Sequence, residues 1–282
     1  VAAGSETTMS AAGNQRPNLP LAGVRVIDFG QIYQGPYATL LMAKAGADVI
    51  KVEPPQGEPM RARAASARGA GIPIAMLNSN KRGLTLNLKH EKGKALLKDL
   101  VREADVLLEN FTPDVMRKLG VGWEVLHEIN PRLIYASGSG YGLSGPDRDL
   151  MAMDLTIQAT SGMMSVTGFP DGPPMKCGAA VVDFMSGIHL YAAVATALYE
   201  RSVTGKGRLV EVAMQEAIFP SFASNLGMMY SSGGGTANTP ACVTDDASGS
   251  SSDPVDRCRY RSMVMRPASH PARSRWLGAS SS

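Results

Sequence analysis

Short β-rich runs separated by helix-length segments set the tightest limit on what this chain can fold into. VRVIDF (24–29) is followed by PYATLLMAKAG (36–46), which opens on Pro36 and closes on Gly46, a natural start and stop for a helix. DVIKVE (48–53) is again a strand, and GLTLNL (83–88) precedes a helix from His90 to Ala104 with Leu96, Leu97, Leu100 and Val101 on one face. DVLLENF (105–111) and RLIYASG (132–138) are further strands; a long helix over 182–203, then RLVEVAM (208–214) and a last helix complete the series. Strand, helix, strand at this spacing predicts an α/β fold: a Rossmann-like parallel sheet with helices on both faces. In such sheets ligands sit beyond the carboxyl ends of the strands.

The ends of the chain read differently. Residues 1–20 lack an apolar signal core and read as a flexible leader. Residues 21–230 read as the globular domain, and 231–282 as a low-complexity tail, either disordered or out of frame. That tail holds 12 serines and six arginines but no lysine, glutamate, isoleucine or phenylalanine, whereas the preceding 230 residues hold ten lysines and twelve arginines. Too little apolar surface is available there to offset the entropy of ordering. Over the whole chain 44% apolar residues support a sizeable core.

A net charge of +3 gives no reason to expect nucleic acid or an anionic membrane as a partner. No apolar run of about 18 residues is present, so no membrane span is expected. Cys177, Cys242 and Cys258 form no C-x-x-C pair and are odd in number, which argues against a disulfide framework or zinc site and fits a reducing cytoplasm. His90, His127, His189 and His270 show no metal-ligand spacing; no metal site is expected.

GYGLSG (140–145) satisfies G-x-G-x-x-G, yet Pro146, Asp147 and Arg148 follow it as a turn. A dinucleotide site needs a helix to open at the third glycine, so a nicotinamide or flavin enzyme is a weak alternative. No P-loop and no G-x-S-x-G elbow occur. Three loop stretches are more informative. DFGQIYQGP (28–36) places Gln31, Tyr33 and Gln34 just past the first strand; NSNKRGLTLNLK (78–89) carries Lys81, Arg82 and Lys89; ENFTPDVMRKLG (109–120) carries Asn110, Arg117 and Lys118. Together they bring cations and amides near several strand ends, as a phosphate-bearing ligand needs. A fourth, SVTGFPDGPPM (165–175), holds Asp171 in a rigid turn, where a carboxylate is either solvated or presented as a nucleophile. Asp154 and Asp183 stand near helix starts and read as caps.

In these stretches the chain resembles the family III CoA-transferases. LAGVRVIDFG, GADVIKVEPPQG, NSNKRGLTLNLK, ADVLLENFTPDVMRKLG, INPRLIYASGSGYG, TGFPDGPP and SVTGKGRLVEVAMQEA carry the likeness in order over about residues 20–232. The resemblance implies Asp171 as the catalytic carboxylate, which attacks an acyl-CoA thioester and passes through an aspartyl anhydride and an aspartyl-CoA thioester. It implies that Tyr33, Gln34, Leu86, Asn87, Leu88, Lys89, Asn110, Phe111, Thr112, Lys118, Ser139, Gly140 and Tyr141 bind CoA. Coenzyme A or its thioester is then a substrate, no cofactor is permanently held, and a small carboxylic acid is the acceptor. Racemases of the same family have a histidine where this chain has Met153, which cannot carry a proton, so racemase chemistry is a remote alternative. Lys118, Ser139 and Pro54 replace residues of the formyl-CoA branch. Members are longer, adding a small domain and interlocking as a homodimer; nothing after Ser231 resembles that domain. An inactive, truncated CoA-binding fragment is therefore the main alternative to a working transferase.

Overall fold

In the computed structural model, residues 19–63, 71–169 and 172–231 are described. Asp171, nearly all of the expected leader and all but the first residue of the expected tail lie outside them. The elements in chain order are β1 (Arg25–Asp28), α1 (Gln34–Lys44), β2 (Asp48–Glu53), α2 (Pro59–Arg63), α3 (Ile72–Leu77), β3 (Arg82–Thr85), α4 (Glu91–Glu103), β4 (Val106–Glu109), α5 (Val115–Lys118), α6 (Trp123–Ile129), β5 (Ile134–Ser139), α7 (Asp154–Thr160), α8 (Val181–Thr204), β6 (Leu209–Ala213), α9 (Met214–Ile218) and α10 (Ala223–Ser231).

The six strands form one sheet in the order β3-β2-β1-β4-β5-β6, every neighbouring pair parallel. This is the expected α/β architecture. Successive strand residues point to opposite faces, and both faces are covered. Val26, Val49, Val106, Leu108, Ile134 and Ala136 pack under α1 and α8; Ile27, Val52, Leu107 and Tyr135 pack under α4 and α6. Two-sided burial explains why the central strands read as continuous apolar runs.

On α4 the expected apolar face is narrower than the sequence suggests. Leu97 and Val101 are fully buried, but Leu96 is 56% exposed. Residues four apart share one line on a helix, and position 96 lies about 100° away from position 97, off the line that meets the sheet. Helix α8 is long and apolar. By length and composition it could cross a membrane, with a mean hydropathy of 1.5 over its most apolar stretch. Its Val182, Leu190, Val194 and Ala197 are buried, and the last three belong to the core under the sheet.

The chain divides into two compact units, Val1–Ile157 with Gly178–Pro220, and Gln158–Cys177 with Ser221–Ser282. The first holds the whole sheet. In the second, Gly168 adopts a left-handed conformation against the Met175 side chain, and the Cys177 N–H donates to Gln158 Oε1 at 2.8 Å.

Candidate active site at the sheet switch point

Strands β1 and β4 lie side by side, but their chains leave in opposite directions: from β1 toward β2, and from β4 toward β5. The loops beyond them must diverge, opening a crevice where parallel α/β sheets bind ligands. A buried ionic network fixes the β1 side. The Asp28 carboxylate accepts the Gly30 N–H at 2.7 Å, the Thr39 hydroxyl at 2.7 Å and the Lys81 ammonium at 2.9 Å. Lys81 also donates to the Pro36 carbonyl and to Asn78 Oδ1, at 2.9 and 3.0 Å, and Lys51 donates to the Gly30 carbonyl. Burial alone would raise the Asp28 pKa; the charges of Lys81 and Lys51 prevail and hold it below the ordinary carboxylate range.

Ile32 takes a left-handed φ of 62°, a costly conformation for a β-branched residue. Its N–H donates to Glu58 Oε1 at 2.9 Å. Across the crevice Asn110 clamps the same loop: Oδ1 accepts the Gln31 N–H at 2.6 Å and Nδ2 donates to the Gln31 carbonyl at 3.0 Å. Asn110, expected as a CoA contact, thus ties together the two loops that flank the switch point.

Between these loops lies a cavity of about 310 Å³. Gln31, Gln34, Asn110, Phe111 and Thr112 line one side of it, and Gly138, Ser139 and Gly140 at the end of β5 another. The carboxylate in its wall is Asp183. An acid in the first turn of α8 predicts a cap, and the structure corrects this for Asp183. The N-cap position is Ala180, and the capping acceptor comes from elsewhere: Asp154 Oδ2 receives the N–H groups of Val182 and Asp183 at 2.9 and 3.2 Å. Asp154 is therefore a cap, as expected, and the helix it caps through these bonds is α8. With its neighbour filling that role, Asp183 is left in the cavity wall, 9% exposed. Burial first, then the Asp154 charge, push its carboxyl up to about 7. A second buried acid, Glu109, is also raised to about 7 by burial, but its carboxylate accepts the Phe111 N–H at 2.8 Å and is not part of this cavity's lining.

A second cavity, of about 460 Å³, lies beyond the ends of β1, β2 and β3 and shares the wall residues Gln31, Phe111 and Val115 with the first. Leu86, Asn87, Leu88 and Lys89 line it together, with Pro54 opposite. The structure thus gathers most of the expected CoA residues into two adjoining cavities. Three depart from that pattern. Tyr33 stacks on Phe184 with ring centroids 5.7 Å apart; Lys118 is exposed and lines neither cavity; Tyr141 lies outside both linings. The cations expected to serve a phosphate are also partly committed. Lys81 is buried on Asp28, and Arg82 pairs with Asp48 at 2.6 Å and Arg117 with Asp114 at 2.9 Å. GYGLSG is a turn after β5 that opens no helix at Gly145, so it lacks the geometry of a dinucleotide site.

The model of CoA-transferase family III matches residues 21–276. A formyl-CoA:oxalate CoA-transferase of Streptomyces avermitilis is 45% identical over 199 residues, 70% of this chain and 48% of that protein. An acetyl-CoA:oxalate CoA-transferase of Acetobacter aceti is 42% identical over 201 residues, 71% and 52% of the two chains. The chain spans about half the length of these curated relatives. Among solved structures, a CAIB/BAIF family protein from Brucella suis superposes with a TM-score of 0.73 at 35% identity, covering 77% of this chain and 58% of that one. A hypothetical protein from Mycobacterium tuberculosis gives 0.71 at 37% identity, covering 75% and 59%.

Proposed function

The chain belongs to CoA-transferase family III, and from that premise we propose that it moves coenzyme A from a donor acyl-CoA to a carboxylic acid, with Asp183 as the carboxylate that carries the acyl group. One observation carries the assignment: a buried carboxylate in the wall of the switch-point cavity, which shares wall residues with the cavity lined by Leu86–Lys89. Asp171, which the resemblance pointed to, lies outside the described residues and is the competing candidate.

The chemistry needs no base once Asp183 is ionised. Its oxygen attacks the thioester carbonyl, the C–S bond breaks, and CoA leaves as the thiolate. The thiolate then attacks the aspartyl carbonyl of the mixed anhydride, releasing the donor acid and leaving an aspartyl-CoA thioester. An acceptor carboxylate attacks that thioester, forms a new anhydride and frees the thiolate. The thiolate takes the new acyl group and restores the Asp183 carboxylate. A carboxylate is a weak nucleophile in water; desolvation and fixed position make this one competent. A homodimer of the completed fold and a cytoplasmic location belong to the same proposal, the second supported by the cysteine usage.

The test is to trap the covalent adduct during turnover of an acyl-CoA and map it. Trypsin separates the candidates, since cleavage after Lys176 leaves Asp171 on the peptide 149–176 and Asp183 on 177–201. The adduct is expected on 177–201, with Asp171→Asn still active; an adduct on 149–176 gives the role to Asp171. CoA binding without transfer by the wild type would favour the inactive-fragment reading.

The pH dependence follows from the same carboxyl. Attack requires the ionised form, so turnover should rise with pH through a midpoint near 7. Asp154→Asn keeps an oxygen to cap α8 but removes the adjacent negative charge. It should move that midpoint to lower pH, and an unmoved midpoint would show that Asp183 does not sense Asp154.

A further inference from the structure

Gln34 supplies an observation that the transfer chemistry above does not use. It is the first residue of α1 and 2% exposed, and its Nε2 is fully buried without a hydrogen-bond partner among the described residues. A buried amide donor left unpaired costs free energy, and native folds almost always satisfy such groups. This one belongs to a side chain lining the same cavity as Asp183.

Two glycines give the side chain its place. A Cβ on Gly138, at the end of β5, would come within 2.5 Å of Gln34 Oε1 and 3.1 Å of Nε2; only a residue without a side chain leaves room for the carboxamide there. On α8, one turn beyond Asp183, a Cβ on Gly187 would come within 2.8 Å of the Gln34 backbone carbonyl. The helix that carries Asp183 therefore packs directly on the residue that carries the orphan amide. Among the described residues Asp183 is the charged side chain in the cavity lining, and the other polar residues beside Gln34 are Gln31, Asn110, Thr112 and Ser139. Gln31's backbone is engaged by Asn110, and Ser139 Oγ accepts the Gly142 N–H at 3.0 Å.

We propose that Gln34 Nε2 donates a hydrogen bond to the carbonyl oxygen of the bound acyl thioester, making Gln34 a catalytic residue that stabilises the oxyanion formed when Asp183 attacks. The proposal rests on the CoA-transferase reading and assigns Gln34 to the reacting acyl group, whereas the resemblance placed it along the carrier. A neutral carboxamide suits that role: it polarises the oxygen and brings no charge of its own into the cavity. Removing one such donor from an oxyanion site commonly lowers turnover by about 10²- to 10³-fold.

The deciding measurement is a titration of the 282-residue chain with three probes that cannot react. They are CoA itself, the ketone analogue in which the sulfur of acetyl-CoA is replaced by CH₂, and the counterpart of that ketone in which the carbonyl is also CH₂. The wild type should bind the ketone about three- to tenfold more tightly than the methylene compound, the ratio one neutral hydrogen bond supports. Gln34→Leu should bind the two alike, whatever its own affinity for CoA. Gly138→Ala, which displaces the carboxamide but leaves Gln34 in the chain, should lose the preference too and serves if Gln34→Leu does not melt cooperatively. A preference retained in both variants overturns the proposal. So does its absence from the wild type, which would mean that a buried water satisfies the amide. Failure of the wild type to bind CoA removes the transferase reading and the proposal with it; binding of CoA without catalysis leaves the ketone ratio to decide the role of Gln34 by itself.

Discussion

Asp183→Asn should abolish transfer and at the same time make the protein more stable above pH 7. The first effect follows from removing the acyl-accepting oxygen, a loss on the order of a thousandfold or more for a nucleophile. The second follows from where that oxygen is kept. In the fold the Asp183 carboxyl titrates at about 7, against a reference of 3.8, because burial and then the Asp154 charge disfavour its ionised form. Between those two values the folded state binds more protons than the unfolded state, so stability falls as pH rises. Below about pH 4 both states are protonated and there is no penalty; above about pH 7 both are ionised and the penalty is complete. Three pKa units at about 1.4 kcal/mol each put its ceiling at roughly 4 kcal/mol. Asparagine never ionises. Denaturant melts at pH 4 and pH 8 should therefore differ in outcome: near equality at the lower pH, and a gain for the variant at the higher. A gain independent of pH, or turnover close to the wild type, would show that Asp183 is an ordinary buried side chain. Strain held at a functional group and offset by the remainder of the fold is a common arrangement.

Lys81→Met should cost about 3–5 kcal/mol, the range for stranding one member of a buried ion pair. The Lys81 and Asp28 side chains are 1% and 0% exposed, so no solvent replaces the missing ammonium. The loss should appear in function as well. Lys81 bonds the Pro36 carbonyl and Asn78 Oδ1 in addition to Asp28, and it thereby holds the first turn of α1, where Gln34 lies, against β1. Asp28→Asn combined with Lys81→Met should recover part of the stability, because the stranded charge is gone; a double-mutant cycle measures the coupling. The pH dependence has the opposite sign to that of Asp183. Asp28 is held below its ordinary pKa, so its contribution is complete above about pH 4 and is lost as pH falls through the folded value. In Lys81→Met the carboxyl loses its partner and its pKa rises, so the deficit should shrink toward acid pH. A deficit under 1 kcal/mol, or one unchanged from pH 4 to pH 8, would contradict this account of the network.

How far the site was legible depends on the range of the forces that build it. Leu86–Lys89 were readable because contiguous residues at the end of one strand travel together into whatever cavity that end borders. Asp183 was misread because an acid in the first turn of a helix is favoured by the helix dipole and looks the same whether or not it caps. Only the hydrogen bonds from Val182 and Asp183 to Asp154, 28 and 29 residues away in the chain, show that the cap is supplied from outside. Lys81 and Arg82 looked like an anion site for a similar reason. A cation in a loop carries no mark of its partner, and theirs, Asp28 and Asp48, lie 53 and 34 residues distant.

The sequence by itself determined the number and order of the six described strands and the long helices α1, α4 and α8 between them, but not the short helices α2, α3, α5, α6 and α7. Burial on both faces forces apolar runs in the central strands, and caps and glycines end the helices between them, all within a few residues. The tertiary structure decided which carboxylate meets the cavity, which lysines are spent inside the protein, and which amide is left without a partner. Those outcomes depend on β1 and β4 becoming neighbours, as Val26 and Val106 do. Contacts between segments so far apart in the chain leave no local pattern to read.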